Sequence, residues 1–318
     1  MPAQKTKKQK ESLSVLIVND MEGISGIDHW HQIFHGFEEF EEFGRVQVTE
    51  DVNAAIRGLR AAGATDIRVA DSHGSGGPNK NIIPEQLEKG VKLFQEQSVP
   101  KRMKEAIERS VDAAVFVGFH AMAGTKDGLF RHTVTLGPSV KVNGEPVGET
   151  ALDAYILAEY GIPVIMVSGD QALVREASDF LPGIETAQVK TSTDARTTQC
   201  LPLSESRILI QEAAKRALSK LDDFEPVQIT KPIKVDVSYL TEEQVDMCDT
   251  IPGAERTSKK TTSFTTRSWD EAYKFIRTTI GLTSPRMNAS LIEKLLQLPG
   301  AEEARIEWAE GSVNEWLS

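Results

Sequence analysis

Short apolar and β-branched runs alternate along this chain with segments whose apolar residues recur at helical spacing. The runs predict strands at Leu13 to Val18, Asp66 to Ala70, Ala113 to Val117 and Pro163 to Val167. Between the first two strands, Val52, Ile56 and Leu59 fall at i, i+4 and i+7, which predicts a helix. Strands that alternate with helices in this way are typical of an α/β fold. The sequence therefore predicts a three-layer α/β/α core around a largely parallel sheet.

One segment departs from this alternation. Asn143-Gly144 lies between two extended stretches and predicts a tight hairpin, because both residues tolerate positive φ. Glu149 follows the hairpin and falls in the first turn of the next predicted helix. We therefore expect a local hairpin insertion in the α/β core, with Glu149 near its exit.

The two ends of the chain differ in character from the part between them. Residues 1–12 are rich in lysine and predict a disordered basic tail, whereas residues 283–318 have helical apolar spacing and predict a helical C-terminal extension. Residues 13–282 form the main region. The pattern changes near residue 190, which leaves open whether this region is one domain or two α/β subdomains.

Composition limits the classes of partner. The 318 residues include 47 acidic and 36 basic side chains, a formal net charge of -11, which disfavours binding to nucleic acid or to an anionic membrane. No stretch approaches the roughly 18 apolar residues needed to cross a bilayer. Cys200 and Cys248 form no CxxC pair, so neither a disulfide framework nor a thiolate zinc site is indicated. A cytoplasmic protein that acts on a small molecule or a peptide fits best.

Carboxylates and imidazoles recur where the predicted strands end. Asp20 and Glu22 follow the first strand in NDMEGISG, and a metal ion between them would relieve their repulsion. Asp71 and His73 repeat this spacing in ADSHG after the second strand. Because ligands gather beyond the carboxyl ends of strands in open α/β sheets, both turns are expected to face one crevice. A solvated acidic turn and a surface histidine remain the alternatives.

Further candidates lie beyond the third strand. His120 follows that strand directly in VGFHAMAG, Glu149 lies in NGEPVGET, and His132 in LFRHT is close enough to serve the same site as a non-ligand. His132 is otherwise a solvent-facing loop histidine. Three carboxylates and two imidazoles suit two divalent ions, zinc first and manganese or cobalt next. Such a pair would make water nucleophilic near neutral pH, so no Ser or Cys nucleophile is needed.

The motifs DMEGISG, DSH, GFHA, the HT at His132 and NGEPVGE, in this order, resemble those of the binuclear-zinc D-aminopeptidase family, a cytoplasmic group of metallopeptidases. The resemblance runs from about Leu13 to Leu282. It implies that two zinc ions are bound, with Asp20 as the bridging ligand. The ligands that it implies are Asp20, Glu22, His73, His120 and Glu149. It also implies that His132 is the active-site histidine, which we interpret as a proton donor or acceptor, or a stabiliser of the tetrahedral intermediate, rather than a covalent nucleophile.

The resemblance implies a reaction and an assembly as well. Family members release N-terminal D-residues from short peptides such as D-Ala-D-Ala, and they form a ring-shaped homodecamer. The expected function is therefore a zinc-dependent aminopeptidase that uses a two-zinc-activated water. A two-metal amidase or phosphoesterase, and a non-catalytic peptide-binding oligomer, are the alternatives that the residues leave open.

Overall fold

The structure is a computed structural model, and it describes residues 12–74, 80–95, 106–107 and 111–283, with residues 300, 303, 306, 307 and 310. Apart from Ser12 and Thr283 and those isolated positions, the predicted basic tail and C-terminal extension lie outside the described residues. Among the helices that are described, none combines the length and the apolar composition needed to cross a bilayer.

The described elements follow the predicted alternation. In chain order the strands are β1 (Leu13–Asn19), β2 (Ala64–Asp71), β3 (Lys92–Phe94), β4 (Ala113–Val117), β5 (Ser139–Val142), β6 (Glu145–Val147), β7 (Val164–Asp170), β8 (Glu185–Ser192), β9 (Thr198–Cys200), β10 (Ile233–Ser238), β11 (Glu255–Ser258) and β12 (Thr261–Thr266). The helices are α1 (Arg45–Ala61), α2 (Glu149–Ala158), α3 (Gln171–Phe180), α4 (Leu203–Ser219), α5 (Glu242–Cys248) and α6 (Trp269–Thr283).

The chain divides into two compact units that interleave along the sequence. The described part of the first comprises residues up to His120, then Asp127–Leu129 and Asp153–Gln228. The second comprises Ala121–Lys126, Phe130–Leu152 and the residues from Ile229 onward. Residue 190 lies inside the first unit, and helix α2 has its first turn in the second unit and the rest in the first.

The first unit contains a seven-stranded sheet in the order β3-β2-β1-β4-β7-β8-β9. All neighbouring strands are parallel except β8 and β9. Ile17 in β1 lies opposite Val69 on one side and Val115 on the other, at the centre of the sheet. The central strands β1 and β4 are nearly continuous apolar runs because both faces of a parallel sheet are covered. The predicted α/β core with a largely parallel sheet is confirmed.

The second unit contains a five-stranded antiparallel sheet in the order β11-β12-β10-β5-β6. The predicted turn is present, with φ of 52° at Asn143 and 92° at Gly144, as a two-residue hairpin requires. Strand β10 alternates between buried Ile233, Val235 and Val237 and more exposed neighbours, so one face packs and the other does not. The hairpin is therefore part of a larger sheet, whose strands β11 and β12 were not predicted.

Candidate metal centre

The turn after β1 carries two buried carboxylates, those of Asp20 and Glu22. The backbone N–H of Asp20 donates to the carbonyl of Val117 at 2.9 Å, and that of Gly23 donates to the carbonyl of Gly118 at 2.8 Å. A Cβ at position 23 would lie 1.9 Å from the carbonyl oxygen of Phe119, so only glycine allows this approach. The turn is thus held against the end of β4.

The turn after β2 presents His73. The Asp71 carboxylate organises the turn, because it accepts hydrogen bonds from the backbone and side-chain N–H groups of Asn81 at 3.0 and 2.9 Å. The Asn81 amide also donates to the carbonyl of His73 at 3.0 Å, and Asn19 donates to Asp71 at 3.0 Å. The backbone on both sides of the imidazole is therefore fixed.

The two ring nitrogens of His73 face different partners. Nδ1 lies 2.9 Å from Oδ1 of Asp20 and 3.2 Å from Oε2 of Glu22, while Nε2 lies 2.8 Å from the carbonyl oxygen of Ile33. A carbonyl only accepts, so Nε2 carries the proton and the neutral imidazole has its lone pair on Nδ1. Nδ1 is therefore the nitrogen that could bind a metal, alongside the two carboxylates.

The electrostatics of this cluster favour a cation. Burial lowers the pKa of the His73 imidazole, but the charge of Glu22 and the hydrogen bond to Asp20 outweigh it, and the pKa lies well above its ordinary value. Asp20, Glu22 and His73 each offer a ligand atom, and these atoms all lie within 4.8 Å of one another. Mixed carboxylate and imidazole donors suit zinc, so the residues present fit this metal.

His120 approaches Asp20 from the end of β4. Its Nε2 lies 3.5 Å from Oδ2 of Asp20, so the two carboxylate oxygens of Asp20 face different imidazoles. Gly118 has φ of 76°, and its N–H donates to the Oγ of Ser168 at 3.0 Å. A Cβ there would lie 2.6 Å from the carbonyl oxygen of Asp20. The sharp turn at Gly118 therefore directs His120 toward the carboxylate.

The second unit brings His132 and Glu149 together. Nε2 of His132 lies 3.4 Å from Oε1 of Glu149, and its Nδ1 lies 2.7 Å from the carbonyl oxygen of Phe130. Oε1 of Glu149 also accepts from the backbone N–H of Val134 at 2.8 Å. Phe130 and Val134 have φ of 47° and 69°, which is strained for residues with side chains, above all for β-branched valine. Such strain clusters at functional sites.

The sequence-predicted residues thus fall into two groups, each described within its own unit. Asp20, Glu22, His73 and His120 converge in the first unit, and His132 contacts Glu149 in the second. Sequence reasoning missed the supporting groups Asn81 and Lys190, and it missed the Ile33 carbonyl. Lys190 lies in a mostly polar strand, ETAQVKTS, so its burial gives no sequence signal, and neither does a contact with a backbone carbonyl.

Carboxylates and imidazoles at the ends of parallel strands suit a metal-dependent hydrolase of the α/β class. Comparison with known proteins gives a narrower assignment. The family model for D-aminopeptidases, peptidase M55, matches residues 13–278, so the chain belongs to the D-aminopeptidase family, a family of peptidases. The resemblance that the motifs indicated is confirmed.

Comparison with a curated protein and with a solved structure supports this membership. The D-aminopeptidase of Bacillus subtilis (strain 168) is 30% identical over 257 residues, which cover 80% of this chain and 92% of that protein. A solved structure described as "Zn-dependent D-aminopeptidase DppA from Bacillus subtilis, a self-compartmentalizing protease" matches with a TM-score of 0.80 and 28% identity, and the match covers 86% of this chain and 99% of that one.

Proposed function

We propose that this protein is a zinc-dependent aminopeptidase that releases N-terminal D-residues from short peptides. The observation that carries the proposal is the direction of His73 Nδ1, which points between the buried carboxylates of Asp20 and Glu22. The zinc dependence and the D-aminopeptidase activity of the Bacillus subtilis relatives support it, because those proteins share the family of this chain.

The proposed ligands of two zinc ions are Asp20, Glu22, His73, His120 and Glu149. Asp20 is the proposed bridge, since each of its oxygens faces a different imidazole. Glu149 is included because it lies in NGEPVGET, one of the motifs in which this chain resembles the D-aminopeptidase family. When bound, the zinc ions polarise the peptide carbonyl and lower the pKa of water.

His132 is the proposed acid–base residue. The carbonyl of Phe130 holds Nδ1 at 2.7 Å, and because a carbonyl accepts, Nδ1 keeps its proton and Nε2 is the nitrogen that can exchange one. The proposed role of Nε2 is to move a proton to the leaving amine, or to stabilise the oxyanion of the tetrahedral intermediate.

The proposed function also includes an oligomeric assembly and a cellular location. The self-compartmentalizing relative supports a homo-oligomer for this chain, and a homodecamer is the specific form that we propose. A cytoplasmic location agrees with the two free thiols of Cys200 and Cys248. Short peptides are the proposed substrates, with neither nucleic acid nor membrane as a partner.

A release assay combined with metal analysis tests the proposed function. The purified protein is assayed with D-Ala-D-Ala, L-Ala-L-Ala and a phosphate monoester, before and after chelation and after zinc is restored. The proposal expects two zinc ions per chain and zinc-dependent release of D-alanine. Undiminished D-alanine release from metal-free protein contradicts it, and release of phosphate alone selects the phosphoesterase alternative.

A further inference from the structure

Lys190 is a buried lysine that none of the proposed chemistry uses. It lies in β8 with a side chain only 1% exposed, and its Nζ donates to two backbone carbonyls, that of Glu22 at 2.9 Å and that of Ile27 at 2.6 Å. These carbonyls belong to the first and last residues of one segment, residues 22–27, which we call the ligand turn. One ammonium group therefore joins both ends of the turn that carries Glu22.

The burial of this ammonium is costly for the fold. A charge removed from water is tolerated only when it is hydrogen-bonded and compensated, and apolar side chains of similar size often give equal or greater stability. The two carbonyls supply the hydrogen bonds, and the carboxylates of Asp170, Asp51 and Asp28 supply nearby negative charge. Stability alone does not account for a lysine at this position.

In the middle of the ligand turn, backbone N–H groups donate hydrogen bonds to oxygen acceptors outside the turn. The N–H of Ser25 donates to Oδ2 of Asp51 at 2.8 Å, and the N–H of Gly23 donates to the carbonyl of Gly118 at 2.8 Å. Lys190 thus binds the first and last carbonyls of the turn, while the N–H groups of Gly23 and Ser25 donate to acceptors elsewhere in the first unit. These contacts hold the backbone of the ligand turn in place.

We propose that Lys190 is a positioning residue for the metal centre: it holds the backbone of Glu22 so that the carboxylate stays beside His73 Nδ1. The separation between Oε2 of Glu22 and Nδ1 of His73 is 3.2 Å, and this geometry depends on where the ligand turn lies. The effect of Lys190 on zinc binding rests on the proposed function. The effect of Lys190 on the order of the ligand turn is independent of that function.

Lys190→Met and a matched control, Arg68→Met, test the proposal. Arg68 is also a buried cation of the first unit, 4% exposed, and it donates to the backbone carbonyl of Ala106 and pairs with Asp66, away from the ligand turn. Zinc affinity is measured by competition with a chromophoric chelator, and amide hydrogen exchange is measured over residues 20–27 in metal-free protein.

Lys190→Met is expected to weaken zinc binding by about 10- to 100-fold, the usual effect of removing a group that orients a ligand. The amides of Gly23 and Ser25 should also exchange faster than in the wild type. Arg68→Met should change neither property, even where it lowers the free energy of unfolding as much. A zinc affinity within threefold of the wild type, with unchanged exchange, overturns the proposal.

A second variant and the exchange measurement cover the cases in which Lys190→Met does not fold or the wild type binds no zinc. If Lys190→Met does not fold, Lys190→Gln replaces it, because the shorter amide cannot reach both carbonyls, and a wild-type zinc affinity in that variant again overturns the proposal. If the wild type binds no zinc, the proposed function fails, and the exchange measurement alone decides whether Lys190 orders the ligand turn.

Discussion

Asp20 and His73 each have two polar side-chain atoms, and the two atoms of each residue contact different partners. His73 donates through Nε2 to the Ile33 carbonyl and directs Nδ1 to the carboxylates, while Asp20 directs one oxygen to His73 and the other to His120. A hydrogen bond on the far nitrogen of a histidine fixes its tautomer and orientation, which is how proteins prepare imidazole ligands. This division supports the bridging role proposed for Asp20.

Removal of one proposed ligand is expected to abolish metal binding without unfolding the protein. His120→Ala should lose zinc and D-peptide turnover together, because the imidazole faces Asp20 from the end of β4. His35→Ala is the matched control, since His35 is exposed and pairs with Glu41 at the surface. Metal content by mass spectrometry and circular dichroism check this. Full zinc occupancy in His120→Ala would remove that residue from the ligand set.

His132→Ala should give a different result. Zinc should remain bound while turnover falls by roughly 10²-fold or more, the usual scale for losing a general acid or base. Steady-state kinetics on zinc-loaded protein, with metal content measured on the same sample, separate the two effects. Unchanged turnover would exclude His132 from the chemistry.

At the scale of elements, the proposed ligands of the first unit stand where parallel strands end. Asp20, His73 and His120 follow β1, β2 and β4, which are neighbours in the sheet, and so short turns suffice to bring their side chains together. The sequence predicted these strands closely, and Ala113–Val117 agrees at both ends. Short apolar and β-branched runs were sufficient evidence for these strands.

Other elements could not be predicted in this way. Strand β12 has the sequence TTSFTT, in which threonine and serine occupy buried positions, so it lacks the apolar alternation that indicates a strand. The contact of Lys190 with the ligand turn joins residues 168 positions apart in the chain. A single sequence contains no signal for such a pairing, and the supporting shell of the site was therefore missed.

The ligand turn should tolerate no side chain at position 23. Gly23→Ala places a Cβ 1.9 Å from the Phe119 carbonyl, a backbone atom that cannot move aside, so the free energy of unfolding should fall by about 1–3 kcal/mol and zinc affinity should fall with it. Gly74→Ala is the control, because a Cβ there meets nothing within 4 Å. Chemical denaturation of both variants checks this, and equal stabilities would contradict the packing of the turn.

At the scale of the whole molecule, stability should depend on the protonation of Asp51. Burial raises the pKa of this carboxyl to about 6, although the Ser25 hydrogen bonds and the charges of Arg207 and Lys190 oppose the shift. The folded state therefore binds a proton more tightly than the unfolded chain does. Its free energy of unfolding should fall as the pH rises from about 4 to about 6, and change little from this source above that.

Asp51→Asn isolates that contribution. The variant keeps an oxygen acceptor for Ser25, but its side chain does not titrate. Between about pH 4 and about pH 7, the free energy of unfolding of the wild type should therefore fall by about 3 kcal/mol relative to that of the variant, at about 1.4 kcal/mol per pKa unit. Urea denaturation across this range measures the difference. Parallel stability curves for the two proteins would show that Asp51 titrates normally.

A crystal structure of the zinc-loaded protein tests most directly whether a paired metal centre is built around Asp20. Anomalous difference density at the zinc edge should show two peaks, both at bonding distance from Asp20, with His73 bound through Nδ1 at about 2.0–2.1 Å. Density for a single ion, for none beside Asp20, or for a zinc bound to Nε2 of His73 would contradict the proposed centre.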